Sequence, residues 1–219
     1  MAIILHVDAS ARTTRSLTRD LSASLVAQLC ERIGEAVVLR RDLASDPPPF
    51  VTEAWIKAAF TKAEGRTTED QSALAWSDTA IAELERADII VLGAPMYNYG
   101  LPAALKAWID QVVRVDRTFS FDLARGDWPL APILGGKALA LLTASGEFGF
   151  GPGGIRETWN HLDNHLRALS SYLGVAHFHH IGIEYQEFGD ARHACSVAEA
   201  KAALPALADR LASGLETLT

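Results

Sequence analysis

Five short apolar runs punctuate this chain, and the stretches between them carry hydrophobic residues at helical spacing. The runs at 3–7, 37–39, 88–93, 137–143 and 175–183 are rich in Ile, Val, Leu and Ala, which suits strands covered on both faces. Leu17, Leu21, Leu25, Val26, Leu29 and Ile33 mark a first helix, which Gly34 closes. Helical spacing also runs over 70–86 through Leu74, Trp76, Ile81 and Leu84, and again through Leu101, Leu105, Trp108, Ile109 and Val112. Two more helices are expected over 156–173 and 197–215, the second kinked or interrupted by Pro205. Residues 53–60 predict a short helix and 63–68 an exposed loop, while Pro47, Pro48 and Pro49 forbid any regular element. Strands alternating with helices imply an α/β fold, a parallel sheet with right-handed crossovers and helices on both faces.

A chain of 219 residues suits one sizeable core, so residues 1–219 are read as a single domain. A formal net charge of -7 argues against nucleic acid as a partner, since phosphate binding calls for a basic face. Two cysteines make no disulfide framework, and Cys30 among Leu25, Val26 and Leu29 packs as a small hydrophobe. The start lacks the basic region and cleavage site of a signal peptide, and no uncharged run reaches spanning length. The expectation is a cytoplasmic protein without a membrane partner.

Two turns carry the chemistry. After the run at 88–93 comes Ala94-Pro95-Met96-Tyr97-Asn98-Tyr99, with Pro102 beyond it. A loop at the carboxyl end of a central parallel strand is where open α/β sheets bind ligands. Flanking prolines stiffen it, and exposed aromatics with an amide suit a planar heteroaromatic ring. After the first strand, Ser10, Ser16 and Thr18 cluster where a helix begins, and unpaired N–H groups and the positive dipole end there favour a phosphate, with Arg12 and Arg15 adding charge. Hydroxyls also serve as plain N-caps. No G-x-x-x-x-G-K-[ST] occurs, so a nucleoside triphosphate is not indicated.

Other patterns are weaker. Gly149-Phe150-Gly151-Pro152-Gly153-Gly154 satisfies G-x-G-x-x-G, yet Pro152 removes an N–H that a pyrophosphate would need, so a flexible glycine loop is the better reading. His161 and His165 stand four apart on a helix, but Leu162 occupies the place of the zinc-hydrolase glutamate. His177, His179 and His180 crowd the fifth strand, where alternation turns at least one inward. Residues 114–136 show no period and are read as a long irregular excursion. No G-x-S-x-G elbow or cysteine signature supports a nucleophile, so the chemistry must be borrowed.

On these residues the chain resembles the FMN-dependent NAD(P)H:quinone oxidoreductases of the azoreductase group, which are flavodoxin-like. The resemblance rests on residues 94–99, on Leu105-Lys106-Ala107-Trp108-Ile109-Asp110, and on Arg114 with Thr118-Phe119. It implies strand order 2-1-3-4-5 and FMN at the ends of strands one, three and four. Ser10, Ser16, Leu17 and Thr18 would hold the phosphate, with Thr18 standing where the group has a third serine. Pro95, Met96, Tyr97, Asn98 and Tyr99 would wrap the ring, and Ala144, Ser145, Gly146 and Glu147 would meet its edge. Ser145 and Glu147 depart from the arginine and glycine common there, and Phe121 replaces a frequent tyrosine. Asp116 replaces a usual glycine, which Asp tolerates because it visits left-handed conformations. NADH or NADPH would donate hydride, and a quinone or azo compound would then take its place. The resemblance also implies a homodimer, with Phe119 and Phe121 lining the partner's site. An electron-carrier flavodoxin and a flavin-free regulator of the same fold are the rival readings.

Overall fold

A computed structural model describes residues 1–216. Five strands, β1 (Ala2–Asp8), β2 (Ala36–Asp42), β3 (Ile89–Pro95), β6 (Lys137–Ala144) and β7 (Val175–Ile183), form a parallel sheet of order β2-β1-β3-β6-β7. This is the expected order 2-1-3-4-5 once the two extra strands, β4 (Phe119–Phe121) and β5 (Leu130–Pro132), are set aside. The central strands read as unbroken apolar runs because each serves two cores in alternation. Leu5, Val7, Ile90, Leu92, Leu139 and Leu141 face one layer with Ile81, Leu84, Trp108, Ile109, Leu162 and Leu166. Ile4, Ile89, Val91, Ala140 and Leu142 face the other with Leu21, Leu25, Leu29, Leu204, Leu207 and Leu211. The first layer is built by α3 (Thr68–Arg86), α4 (Ala103–Val112) and α5 (His161–Leu169), the second by α1 (Leu17–Ile33) and α6 (Ala191–Glu216). The short helix α2 (Glu53–Phe60) lies against α3 through Trp55, Ala58, Ala59 and Leu74.

Three segments differ from the sequence expectation. The excursion over 114–136 is not wholly irregular: β4 and β5 pair antiparallel, Phe119 opposite Pro132 and Phe121 opposite Leu130. The helix expected from residue 156 starts only at His161, because Asn160 caps it by accepting from the Asp163 N–H at 3.0 Å, and a single 3-10 turn (Glu157–Trp159) precedes it. Helix α6 begins at Ala191 rather than near 197 and runs on through Pro205. Leu204, Leu207, Ala208 and Leu211 are buried around that proline. Their burial, about 1.5–3 kcal/mol for each leucine, outweighs the roughly 3 kcal/mol a helical proline costs. Among the described residues no helix is long and apolar enough to cross a membrane.

Candidate functional site

The parallel register brings the carboxyl ends of three strands level: Asp8 pairs with Gly93, and Pro95 with Ala144. Beyond them opens a cavity of about 280 Å³, lined by Ser10, Arg12, Arg15, Ser16, Leu17 and Thr18 from the first turn. Pro95, Met96 and Tyr97 line it after β3, Ala144 and Gly146 after β6, and Gln186 and Glu187 after β7. The two turns singled out in the sequence are thus walls of one space, and the Ala11 N–H donates to the Tyr97 hydroxyl at 3.3 Å.

The first turn is polar and buried at once. Ser10, Ser16 and Thr18 are at most 5% exposed, and the Ser16 and Thr18 hydroxyls lie 3.4 Å apart. Ser16 is the N-cap of α1, its Oγ accepting from the Arg19 N–H at 3.5 Å. The N–H groups of Leu17 and Thr18 find no acceptor among the described residues, as the first turn of a helix dictates. Gly93 lets α1 come this close: a Cβ there would meet Asp8 Oδ1 and the Thr18 carbonyl at 3.1 Å and Ser22 Oγ at 3.2 Å. Beneath the turn, Arg19 makes a bidentate pair with Asp42 at 2.7 Å and donates to the Ser10 carbonyl at 2.8 Å. That pair holds the Asp42 carboxyl down at about 2. Asp8 is wholly buried; burial pushes its pKa up, but His6, the Ser22 hydroxyl and Arg19 together bring it below the usual carboxylate range.

The loop after β3 turns on two residues. Tyr97 and Gly100 exchange N–H···O bonds at 3.1 and 3.0 Å, and Asn98 and Tyr99 between them have φ of 48° and 64°. Two successive left-handed residues make a type I′ turn, which Asn favours at its first place and which costs a tyrosine strain at the second. The Tyr99 hydroxyl donates to Glu147 at 2.9 Å, and Glu147 pairs with Arg156 at 2.8 Å. That bond to the carboxylate keeps the Tyr99 phenol protonated above its ordinary range. Tyr99 also meets Trp159 edge-on at 5.4 Å.

Not every expected residue lines the cavity. Asn98 and Tyr99 are exposed beside it. Ser145 is buried behind it, its hydroxyl donating to the Glu147 carbonyl at 2.9 Å, and Glu147 is taken up with Tyr99 and Arg156. Phe119 packs on Tyr172 at 5.5 Å and Phe121 is 54% exposed, neither of them lining this cavity. Gln186 and Glu187 escaped the sequence reading; the only signal available was their place after the last strand of the sheet. Gly146, which the sequence reading did name, lies against them: a Cβ there would stand 2.7 Å from Glu187.

The glycine loop is folded on itself rather than loose. Glu184 accepts from the Gly149 and Phe150 N–H groups at 3.0 Å, and the Arg156 N–H reaches the Gly149 carbonyl at 2.8 Å. Behind Met96 it encloses a second space of about 250 Å³, where His180 Nε2 lies 2.8 Å from the Thr143 hydroxyl. Of the three crowded histidines, His180 is the one that lines this space. Asp116 has φ of 61°, the left-handed backbone that an aspartate tolerates.

Residues 2–207 match a family described as having the flavodoxin-like fold. An FMN-dependent NADH:quinone oxidoreductase of Colwellia psychrerythraea is 49% identical over 207 residues, 91% of this chain and 94% of its own. The chain belongs to that oxidoreductase family. An FMN-dependent NAD(P)H:quinone oxidoreductase of Pseudomonas aeruginosa is 40% identical, covering 95% of this chain and 99% of its own. Within the family's fold, the azoreductase structure from Bacillus anthracis str. Sterne superimposes with a TM-score of 0.85 at 22% identity, over 96% of this chain and all of the other. An FMN-dependent NADH-azoreductase from Bacillus anthracis in complex with FMN gives 0.84 at 18% identity, over 97% and 100%. As an oxidoreductase of this family the protein is an enzyme.

Proposed function

We propose that this protein binds FMN in the cavity beyond β1, β3 and β6 and moves two electrons from NADH or NADPH to quinones or azo compounds. Donor and acceptor would occupy one place in turn. The observation that carries this reading is the meeting, in a single cavity, of three buried hydroxyls and unpaired N–H groups with Met96 and Tyr97. Ser10, Ser16 and Thr18, with the N–H groups of Leu17 and Thr18, would hold the phosphate at the positive end of α1. Pro95, Met96 and Tyr97 would cover the ring with Asn98 and Tyr99 beside it, and Ala144 and Gly146 would close on its edge, braced by Ser145 and Glu147 behind them. Bound FMN would supply the acceptance and delivery of hydride, so no side chain is asked to act as acid or base. The Asn98 and Gly146 N–H groups have no acceptor among the described residues, and they would stabilise negative charge added nearby.

Two further parts of the reading concern assembly and place. Phe121, Leu123, Trp128, Leu130 and Ile133 are exposed apolar side chains on and beside β4 and β5, which supports a homodimer in which Phe119 and Phe121 line the partner's site. Two free cysteines, Cys30 half-buried among apolar residues of α1, fit a reducing cytoplasm.

The test is an absorption titration of the purified protein with FMN, then anaerobic NADH, then benzoquinone. Flavin binding, bleaching by NADH and recovery with quinone are expected. Flavin that binds but is not bleached would favour an electron carrier, and failure to bind flavin at all would favour a regulator.

A further inference from the structure

The cavity does not end at the first turn. It continues into an open groove of about 620 Å³, which shares Arg12, Arg15 and Gln186 with it and adds Thr13, Thr14 and His193. The cations around this groove are unspent. Elsewhere Arg19, Arg41, Arg114, Arg156 and Arg192 are each paired with a carboxylate. The exposed guanidinium groups of Arg12 and Arg15 have neither an ion-pair partner nor a hydrogen-bond acceptor among the described residues, in a chain whose formal net charge is -7. The N–H groups of Thr13, Thr14 and Arg15 likewise bond nothing among those residues. His193 Nδ1 lies 3.2 Å from the Glu184 carbonyl, and with the proton on that nitrogen the ring's Nε2 is left without a partner. The nearby carboxylates are committed or set apart: Asp190 pairs with Arg192, and Glu187 lies over Gly146 in the neighbouring cavity.

Such a groove suits a ligand with several phosphate oxygens, because two unpartnered guanidiniums and free N–H groups both seek anionic acceptors. The phosphate of FMN already has its own cradle in Ser10, Ser16, Thr18 and the start of α1, so the second set of donors is surplus to it. We infer that the groove takes the phosphate-bearing half of the NADH or NADPH donor, with Arg12 and Arg15 bracketing its phosphates. This rests on the FMN reading above. It makes the first turn two-sided, its buried hydroxyls serving the resident cofactor and its exposed arginines the visiting one.

The test uses ADP as the probe, titrated by calorimetry into FMN-loaded protein, and steady-state kinetics with NADH and benzoquinone. ADP is expected to bind, to compete with NADH, and to weaken as salt rises. In the Arg12→Gln/Arg15→Gln variant, ADP affinity should fall and the KM for NADH rise about tenfold. The KM for benzoquinone and the Kd for FMN should each move less than twofold. If FMN affinity falls tenfold while the KM for NADH stays put, the arginines serve the cofactor and the inference is wrong. It is equally wrong if ADP neither binds nor competes while FMN binds normally. A wild-type protein that takes up no flavin overturns both this inference and the function it rests on.

Discussion

Single residues decide whether the first turn can hold an anion. Ser16 and Thr18 were legible as hydroxyls before a helix, but their burial was not, since it depends on Gly93 in a strand 75 residues beyond Thr18 (93 − 18). Replacing both hydroxyls, Ser16→Ala with Thr18→Val, removes two bonds to a charged group, each typically about 1.5–3 kcal/mol. FMN affinity should therefore drop at least tenfold in a fluorescence titration, with the far-ultraviolet dichroism unchanged. The Arg19–Asp42 pair beneath makes a pH prediction. Asp42 titrates at about 2 in the folded chain against 3.8 ordinarily, chiefly because Arg19 bonds it. Its contribution is therefore fully present above pH 3.8 and is lost as pH falls through about 2. Pair and carboxylate are partly solvated, so about 1 kcal/mol is at stake. Urea unfolding of Asp42→Asn should show the weaker acid sensitivity of the two proteins between pH 4 and 2.

Elements were legible where their periods were long and illegible where a turn's own chemistry took over. The five sheet strands and α1, α3 and α4 follow from apolar spacing alone. The hairpin of β4 and β5 could not, because three-residue strands give alternation no room to show. The delayed start of α5 was encoded in Asn160 and Asp163, an N-cap pattern hidden by the apolar Ile155 and Trp159 before it. One element boundary depends on a residue that sequence reading places only in a strand. Lys137 opens β6, is 6% exposed, and donates to the carbonyls of Glu85 at 3.0 Å and Ala87 at 2.7 Å, capping the carboxyl end of α3. Burial pushes its pKa down, yet the two carbonyls need a donor. Lys137→Met should cost about 2 kcal/mol in urea unfolding, since it leaves both acceptors unsatisfied. Activity per folded molecule should be retained, because the change lies at the opposite end of the strand from the cavity.

At the scale of the whole molecule, ligand and partner set the measurable stability. FMN at a hundred times its Kd should add about 2.7 kcal/mol, which for a domain of this size raises Tm by about 5–10 °C. The exposed apolar side chains on and beside β4 and β5, among them Trp128 at 84% exposed, should hold two copies together. Sedimentation is expected to give one species at twice 23.6 kDa, and Trp128→Asp to shift it toward the monomer. The order of the sheet and the position of the cavity follow from strand alternation, whereas the loop after β7 entered the site only through three-dimensional closure. Glu147 ties the loop after β3 to the glycine loop, reaching Tyr99 in one and Arg156 in the other. Loops tied in this way should open as one unit, so in deuterium exchange the amides of residues 97–100 and 146–157 should lose protection with a common opening free energy. The Glu147 carboxylate would then couple two loops into a single breathing motion.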